Sequence, residues 1–185
     1  MDDQRTMQRR GWGGQPERRP HIVPPASAAE QALVALSVVA LVALIVTTAY
    51  WWAALPATIP THFGIDGKPN AYGSKNSIWL LPGILLAITV AFSLLSRYPW
   101  LFNYPVTITE ENAERQYHRG RVLLAVINAG LALLFVVIQW QTIQVSRGAA
   151  TSLGAFFSLP YVIAFIALVP ISAIILIVVW SLRGK

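Results

Sequence analysis

The sequence predicts an all-α, polytopic membrane protein with four transmembrane helices. Only 12% of its residues are charged while 55% are hydrophobic, and the hydrophobic residues occur in long runs. Four uncharged runs, at about 32–52, 78–95, 122–140 and 156–180, approach or exceed the roughly 18 to 20 residues that span a bilayer. None of these runs carries the charged face that a helix of a water-soluble bundle needs. Tryptophans near the ends of the runs, where an amphipathic ring is best placed, support the same boundaries.

The segment before the first run predicts a disordered, basic cytoplasmic tail over residues 1–28, with the transmembrane domain over 29–182. Arginine, glutamine, glycine and proline dominate this tail, so it cannot bury enough apolar surface to offset its chain entropy. Its arginines would either only orient the protein or also hold the tail near anionic lipids.

The distribution of positive charge predicts the orientation of the chain. The tail, the second loop and the C-terminus together carry 11 of the 14 lysines and arginines, and the first and third loops carry three. Positively charged segments resist translocation, so both termini are expected in the cytoplasm and the protein in the plasma membrane, the inner membrane of a bacterium. The net charge of +6 then reflects topology, and we expect no nucleic-acid partner.

The first loop, residues 55–75, is a polar segment between two apolar spans. Asp66-Gly67 is a strong tight-turn signal between two short extended stretches, which predicts a hairpin-like loop on the extracytoplasmic face. Prolines at 56, 60 and 69 stiffen it. Such a cap would either bind an extracytoplasmic ligand or close the helix bundle as a lid. The candidate binding residues are His62, Asp66, Lys68, Asn70, Tyr72 and Lys75.

The second loop predicts a cytoplasmic amphipathic helix that runs directly into the third span. Thr107 precedes Glu110 by three residues, which is the spacing of a capping box, and Thr109 is an alternative cap. Acidic residues come first and basic residues follow, as the helix dipole favours. This helix is either a docking site for a soluble partner or simply a well-capped interfacial helix. The candidate docking residues are Glu111, Asn112, Arg115, Tyr117 and Arg119.

Inside the spans, small and polar residues predict contacts between helices. Small residues four apart define one face of the second span and one of the third: Gly83, Ala87 and Ala91, and Ala125 and Ala129. Asn128 is the candidate intramembrane polar site, because an amide in hydrocarbon must bond another helix or line a polar cavity.

The sequence does not contain the usual signatures of catalysis or metal binding. It has no cysteine, which excludes disulfides, zinc-thiolate sites and iron-sulfur clusters. On the outer side His62 and Asp66 supply two metal ligands, whereas zinc requires three or four. The four runs hold no ionisable residue, and the common hydrolase, zinc-protease and phosphate-loop motifs are missing. We therefore expect a non-enzymatic protein without metal or cofactor, and no ion-coupled pump.

One stretch of the sequence resembles a known family. Within residues 55–75, Leu-Pro and Ile-Pro are followed by His-Phe, a glycine-bearing turn, Lys-Pro-Asn and Tyr-Gly-Ser-Lys. This signature resembles the domain of unknown function at the front of SdpI-type bacterial membrane proteins, and the Thr-Glu-Glu-Asn-Ala-Glu-Arg-Gln-Tyr run of the second loop extends the resemblance. The family includes an immunity and signalling protein for a secreted toxin. The resemblance implies that the outer loop recognises an exported peptide or toxin and that the cytoplasmic helix holds a soluble regulator.

Two further functions are compatible with the same pattern. The protein could be an accessory or assembly subunit that offers its small-residue faces and Asn128 to other membrane subunits. It could also be a small transporter or channel formed by oligomerisation, with Asn128, Gln139 and a kink at Pro170 along the path.

Overall fold

The computed structural model describes residues 19–154 as a mainly helical chain with one pair of short strands. In chain order the helices and strands are α1 (Ala28–Trp51), β1 (Thr58–Phe63), β2 (Pro69–Ser74), α2 (Leu80–Leu95) and α3 (Ala113–Ser146). Short 3₁₀ turns follow α1 at Trp52–Ala54 and precede α2 at Lys75–Trp79, and a third lies at Pro99–Leu101. The fourth predicted span, 156–180, and the first 18 residues of the predicted tail lie outside the described residues.

Three of the described helices are long and apolar enough to cross a membrane. With their 3₁₀ extensions they cover Ala28–Ala54, Lys75–Leu95 and Ala113–Ser146, and they contain the first three predicted spans. Their outward faces carry large aliphatic side chains such as Val39, which is 64% exposed. Side chains of this kind are favourable against lipid, so the three helices suggest a membrane-embedded protein.

The helix ends differ from those predicted. α1 begins four residues before the predicted run, because the Ser27 hydroxyl oxygen accepts a hydrogen bond from Glu30 N and caps the helix. The predicted threonine caps of the second loop are wrong. The helix begins only after Asn112, whose side-chain oxygen accepts from Thr109 N and whose amide donates to Thr107 O. From Ala113 the helix continues without interruption to Ser146.

α1 and α2 both pack on α3. One apolar cluster joins Leu44 of α1, Leu85 of α2 and Ala132 of α3, with neighbours from α1 and α3 around them. The predicted small-residue face of α3 is buried, since Ala125 and Ala129 are almost inaccessible. Alanines at these positions let the neighbouring helix backbones approach closely.

The predicted packing face of α2 is not used within residues 19–154. Gly83 has no neighbouring atom within 4 Å of the position where a Cβ would be, and Ala87 and Ala91 are exposed. α2 instead buries Leu85 and Thr89. Helix spacing defines candidate faces, but the partner side chains decide which face is buried.

A second apolar cluster lies beneath the strands. Ile59 of β1, Ile78 before α2 and Ile143 of α3 are all nearly inaccessible, and Leu55 completes the cluster. Ile59 therefore anchors the strand pair to the end of the helix bundle.

A buried polar contact ties the same region together. Gln139 of α3 donates through Nε2 to the hydroxyl oxygen of Thr48 at 2.7 Å and to Ile78 O at 2.9 Å. Thr48 in turn donates to Leu44 O within α1. One side chain of α3 thus bonds both α1 and the turn that begins α2.

Residues 19–27 fall in the segment predicted to be disordered, yet they make specific contacts at the other end of the bundle. Arg19 Nη1 donates to Trp100 O at 2.9 Å and to Phe102 O at 2.7 Å. The Tyr117 hydroxyl donates to Pro20 O, and His21 stacks on Trp100 with ring centroids 4.8 Å apart. An ordered strap therefore precedes α1.

Replacing Gln139 with alanine should destabilise the folded protein by about 1 to 2 kcal/mol, because the Ile78 carbonyl loses its buried side-chain donor. Unfolding in detergent micelles, followed by circular dichroism, measures this loss. Gln144→Ala, on the same helix and without a described side-chain bond, is the control. Equal effects of the two variants would contradict a structural role for the Gln139 contacts.

Replacing Gly120 with alanine should loosen the loop before α3. A Cβ there would lie 2.8 Å from the Tyr104 hydroxyl oxygen and 2.9 Å from Phe102, so the loop has to move. Because Arg19 bonds the Phe102 carbonyl, amide hydrogen exchange should rise in both 19–27 and 99–104. Gly83→Ala, where nothing lies nearby, should leave this exchange unchanged. Unchanged exchange in both variants would mean that the loop and strap are not coupled.

Candidate functional site

The segment predicted to form a hairpin-like loop contains two antiparallel strands. Thr58 pairs with Ser74 at the base and Phe63 with Pro69 near the tip, with an irregular register around His62. Gly67 adopts a positive φ of 74°, which glycine tolerates, and its N–H donates to Gly64 O at 2.9 Å. The Asp66-Gly67 turn signal therefore lies at the tip of the pair.

The hairpin tip is also held from outside the hairpin. Leu153 N, in the segment after α3, donates to Gly67 O at 2.9 Å. Within the tip Asp66 accepts from Lys68 N at 3.0 Å, and its carboxylate lies 3.9 Å from the Lys68 ammonium. With Ile59 anchored at the base, both ends of the hairpin have a fixed position.

A groove with a cavity volume of about 860 Å³ runs along the hairpin and the adjoining end of α3. We call it the hairpin groove. Its lining includes four of the six predicted binding residues and an apolar floor: His62, Asp66, Lys68 and Asn70, with Ile138 and Leu153. The structure thus brings together residues that the sequence placed only in one loop.

The polar groups of the hairpin groove are suited to binding. His62 Nδ1 lies 2.6 Å from the side-chain oxygen of Asn70 on the opposite strand. Since an amide oxygen can only accept, this bond requires the hydrogen on Nδ1. Lys68 offers a cation and Asp66 an anion, both exposed. Within residues 19–154 no group of three or more potential metal ligands occurs.

The remaining two predicted residues lie elsewhere on the hairpin. Tyr72 is 63% exposed on β2 and does not line the groove. The Lys75 ammonium lies 4.9 Å from the centre of the Trp52 ring, a cation-π contact at the hairpin base. Arg147 stacks over Trp51 in the same way, with 3.7 Å between guanidinium carbon and ring centre.

The predicted cytoplasmic docking residues are also divided by the structure. Glu111, Arg115 and Arg119 line a shallow groove of about 620 Å³ together with Glu114 and His118, which we call the α3 groove.

The other two predicted docking residues differ in exposure. Tyr117 is fully buried, so its side chain cannot contact a soluble partner. Asn112 is partly exposed, and its side chain bonds Thr109 N and Thr107 O of its own loop. Tyr104 lies against Tyr117, and burial raises the pKa of the Tyr104 phenol, which keeps it a donor to Pro99 O.

A buried ion pair was missed by the sequence analysis. Arg121 donates through Nη2 and Nε to the same oxygen of Glu30, Oε1, at 2.7 and 3.0 Å, and through Nη1 to Pro24 O. The predicted first run, 32–52, holds no charged residue, but α1 begins at Ala28 and so includes Glu30. Ser27 and Glu30 have the spacing of a capping box, and this signal would have extended the helix to include the carboxylate.

Asn128 makes a contact between helices. Its side-chain oxygen accepts from the Thr89 hydroxyl of α2 at 3.3 Å, and both residues are buried. Asn128 also lines a cavity of about 410 Å³ between the helices, so both predicted roles, a bond to another helix and a place beside a polar cavity, stay open.

Part of the chain is similar to known proteins. Residues 38–86 match the family model described as "Domain of unknown function (DUF1648)", a region that runs from α1 through the hairpin into α2. An uncharacterized protein of Archaeoglobus fulgidus is 36% identical over 83 residues, which is 40% of this chain and 45% of the archaeal protein. The chain thus spans about half the length of that relative. No solved structure matches the chain. The domain match is consistent with the SdpI-type resemblance and carries no assigned activity.

The chain's lack of cysteine allows the predicted orientation to be tested directly. A single cysteine at Asp66 should react with a membrane-impermeant maleimide added to intact cells, and one at Glu111 only after permeabilisation, because positive charge keeps the second loop inside. Both positions are exposed, so access to the side chain is matched. The reverse labelling pattern would overturn the orientation.

Proposed function

We propose that the protein is a non-enzymatic membrane receptor that binds an exported peptide in the hairpin groove. The observation that supports this most directly is the composition of the groove. Opposite charges at Asp66 and Lys68 stand beside the His62–Asn70 pair, above an apolar floor. Concave sites of this kind, mostly apolar with a few placed polar groups, are typical of binding.

An extended peptide fits the secondary structure of this site. The described sheet has two strands, so within residues 19–154 the outer edge of β2 has no strand partner. Asn70, Ala71 and Tyr72 on that strand are exposed. A peptide can add a strand to such an edge through main-chain hydrogen bonds, while the adjoining groove selects its side chains.

The second half of the proposal is a soluble regulator bound at the α3 groove. Ile138 lines the hairpin groove and Arg115 lines the α3 groove, and both belong to the uninterrupted helix α3. Their separation of 23 residues corresponds to about 35 Å, roughly the thickness of a hydrocarbon core with its boundary. Toxin immunity, with transfer of the peptide signal to this regulator, is the role that the family resemblance adds.

The other two functions have less support in the described contacts. A transport path needs a continuous polar lining, whereas the cavity that Asn128 lines also has apolar walls, including Val34, Phe92 and Leu124. An accessory subunit would use exposed apolar helix faces, but lipid is an equally good partner for those faces.

Site-specific photo-crosslinking in cells that natively make the protein tests the peptide proposal. A benzophenone side chain at Ile65, which is exposed in the groove, should form an adduct with a short exported peptide. The adduct should be lost when Asp66→Ala and Lys68→Ala are combined in the same chain, because the hairpin groove then lacks both charges. The matched control is a benzophenone at Val39, on an exposed helix face.

The outcomes separate the alternatives. Adducts with integral membrane proteins at both positions would favour the accessory role. Absence of any peptide adduct at Ile65, in cells where the protein is inserted, would contradict peptide binding.

A further inference from the structure

A second cavity, of about 410 Å³, lies at the end of the bundle opposite the hairpin. α1 and α2 form its two sides and α3 forms its floor, with Val34, Phe92 and Leu124 among its apolar walls. Glu30 and Arg121 line it at the level where α1 begins. We call it the Glu30 cavity; it plays no part in the peptide proposal.

Only one of the two carboxylate oxygens of Glu30 has a hydrogen-bond partner among the described residues. Glu30 is 4% exposed, and both hydrogen bonds from Arg121 go to Oε1. The other oxygen, Oε2, is buried and has no hydrogen-bond partner within residues 19–154. A buried, unpaired carboxylate oxygen is costly, and because Glu30 lines the cavity, a ligand there that donates a hydrogen bond would satisfy it.

Four polar side chains besides the ion pair line the cavity: Gln31, Ser93, Ser96 and Asn128. The amides of Gln31 and Asn128 carry both donors and an acceptor, so they fit a ligand of either kind. The two serines are more selective. The hydroxyls of Ser93 and Ser96 donate to Thr89 O and Ser93 O within their own segment, so towards the cavity their oxygens can only accept. With Glu30 Oε2 they make three acceptors. A primary ammonium group carries three N–H donors.

Arg121 supplies the complementary charge. Three of its five N–H bonds are directed to Glu30 and Pro24, which leaves two for another acceptor. The ion pair itself is neutral, so a lone ammonium would leave the cavity with a net positive charge. A zwitterionic ligand with an ammonium near Glu30 and a phosphate near Arg121 avoids that imbalance.

We propose that the Glu30 cavity binds a phosphoethanolamine group, with its ammonium on Glu30 Oε2 and its phosphate beside Arg121. Such a group reaches the cavity either as the headgroup of a membrane lipid or as a small soluble molecule. The apolar walls formed by Val34, Phe92 and Leu124 would accept the first part of a lipid chain.

Native mass spectrometry of the full chain, released from nanodiscs, tests this proposal. Phosphatidylethanolamine should be retained about tenfold more than phosphatidylcholine with the same acyl chains, because the trimethylated ammonium has no N–H to donate to Glu30. Competition by free phosphoethanolamine is measured in the same samples. Displacement at low concentration would identify the soluble molecule as the better ligand, and lack of displacement the lipid; both outcomes support the shared chemistry.

Variants keep the test independent of folding. Glu30→Gln removes the anionic acceptor but also breaks the ion pair with Arg121. Loss of lipid retention in that variant could therefore come from a change in the fold, and a second pair of variants is needed. Val34→Trp fills the cavity without touching the ion pair, and Val39→Trp adds the same side chain on an exposed part of the same helix. Selective retention should be lost in Val34→Trp and kept in Val39→Trp. Equal retention of the two lipids by the unmodified chain, or equal retention by the two tryptophan variants, would overturn the proposal.

Discussion

Polar side chains buried between membrane helices must find partners within the protein, and this constraint organises the described structure. Three polar side chains of α3, among others on that helix, bond different parts of the bundle. Arg121 bonds Glu30 of α1, Asn128 bonds Thr89 of α2, and Gln139 bonds both Thr48 and the Ile78 carbonyl. A polar group shielded from water has no easy replacement for a lost partner, so each contact restricts the positions that a neighbouring helix can take.

The spacing of these three residues explains why one helix can hold both of its neighbours. Asn128 follows Arg121 by about two helical turns, and Gln139 follows Asn128 by about three, so all three lie on one stripe of α3. Ala125 and Ala132 lie close to the same stripe and are buried. Small side chains allow close approach and polar side chains then select the register, which replaces the hydrophobic driving force that lipid removes.

Local properties of this structure could be predicted from its sequence, and properties that depend on distant partners could not. The first three spans follow from hydropathy, and the hairpin tip follows from Asp66-Gly67, because each signal resides in a few consecutive residues. The Glu30–Arg121 pair joins residues 91 positions apart, so the sequence around either residue does not indicate which partner it has. The α2 face was predicted wrongly for the same reason, since its burial depends on which side chains of α3 it meets. At the start of α3 the threonines and Asn112 compete as local signals for the helix end. The Asn112 side chain bonds Thr109 N and Thr107 O, and the helix begins after Asn112 instead of at a threonine cap.

The hydrogen bonds of Arg121, Asn128 and Gln139 also limit how a conformational change could pass from one end of the bundle to the other. The hairpin groove and the α3 groove share only α3 among the elements described, so a signal between them has to use that helix. Sliding or rotating α3 would break the Arg121, Asn128 and Gln139 contacts together, and each break would leave buried polar atoms unpaired. Arg121 and Gln139 lie 18 residues apart on α3, about 27 Å, so a tilt of α3 alone would displace at least one of these contacts as well. A signal that passes along this helix therefore requires α1 and α2 to move together with α3, because the contacts couple the three helices.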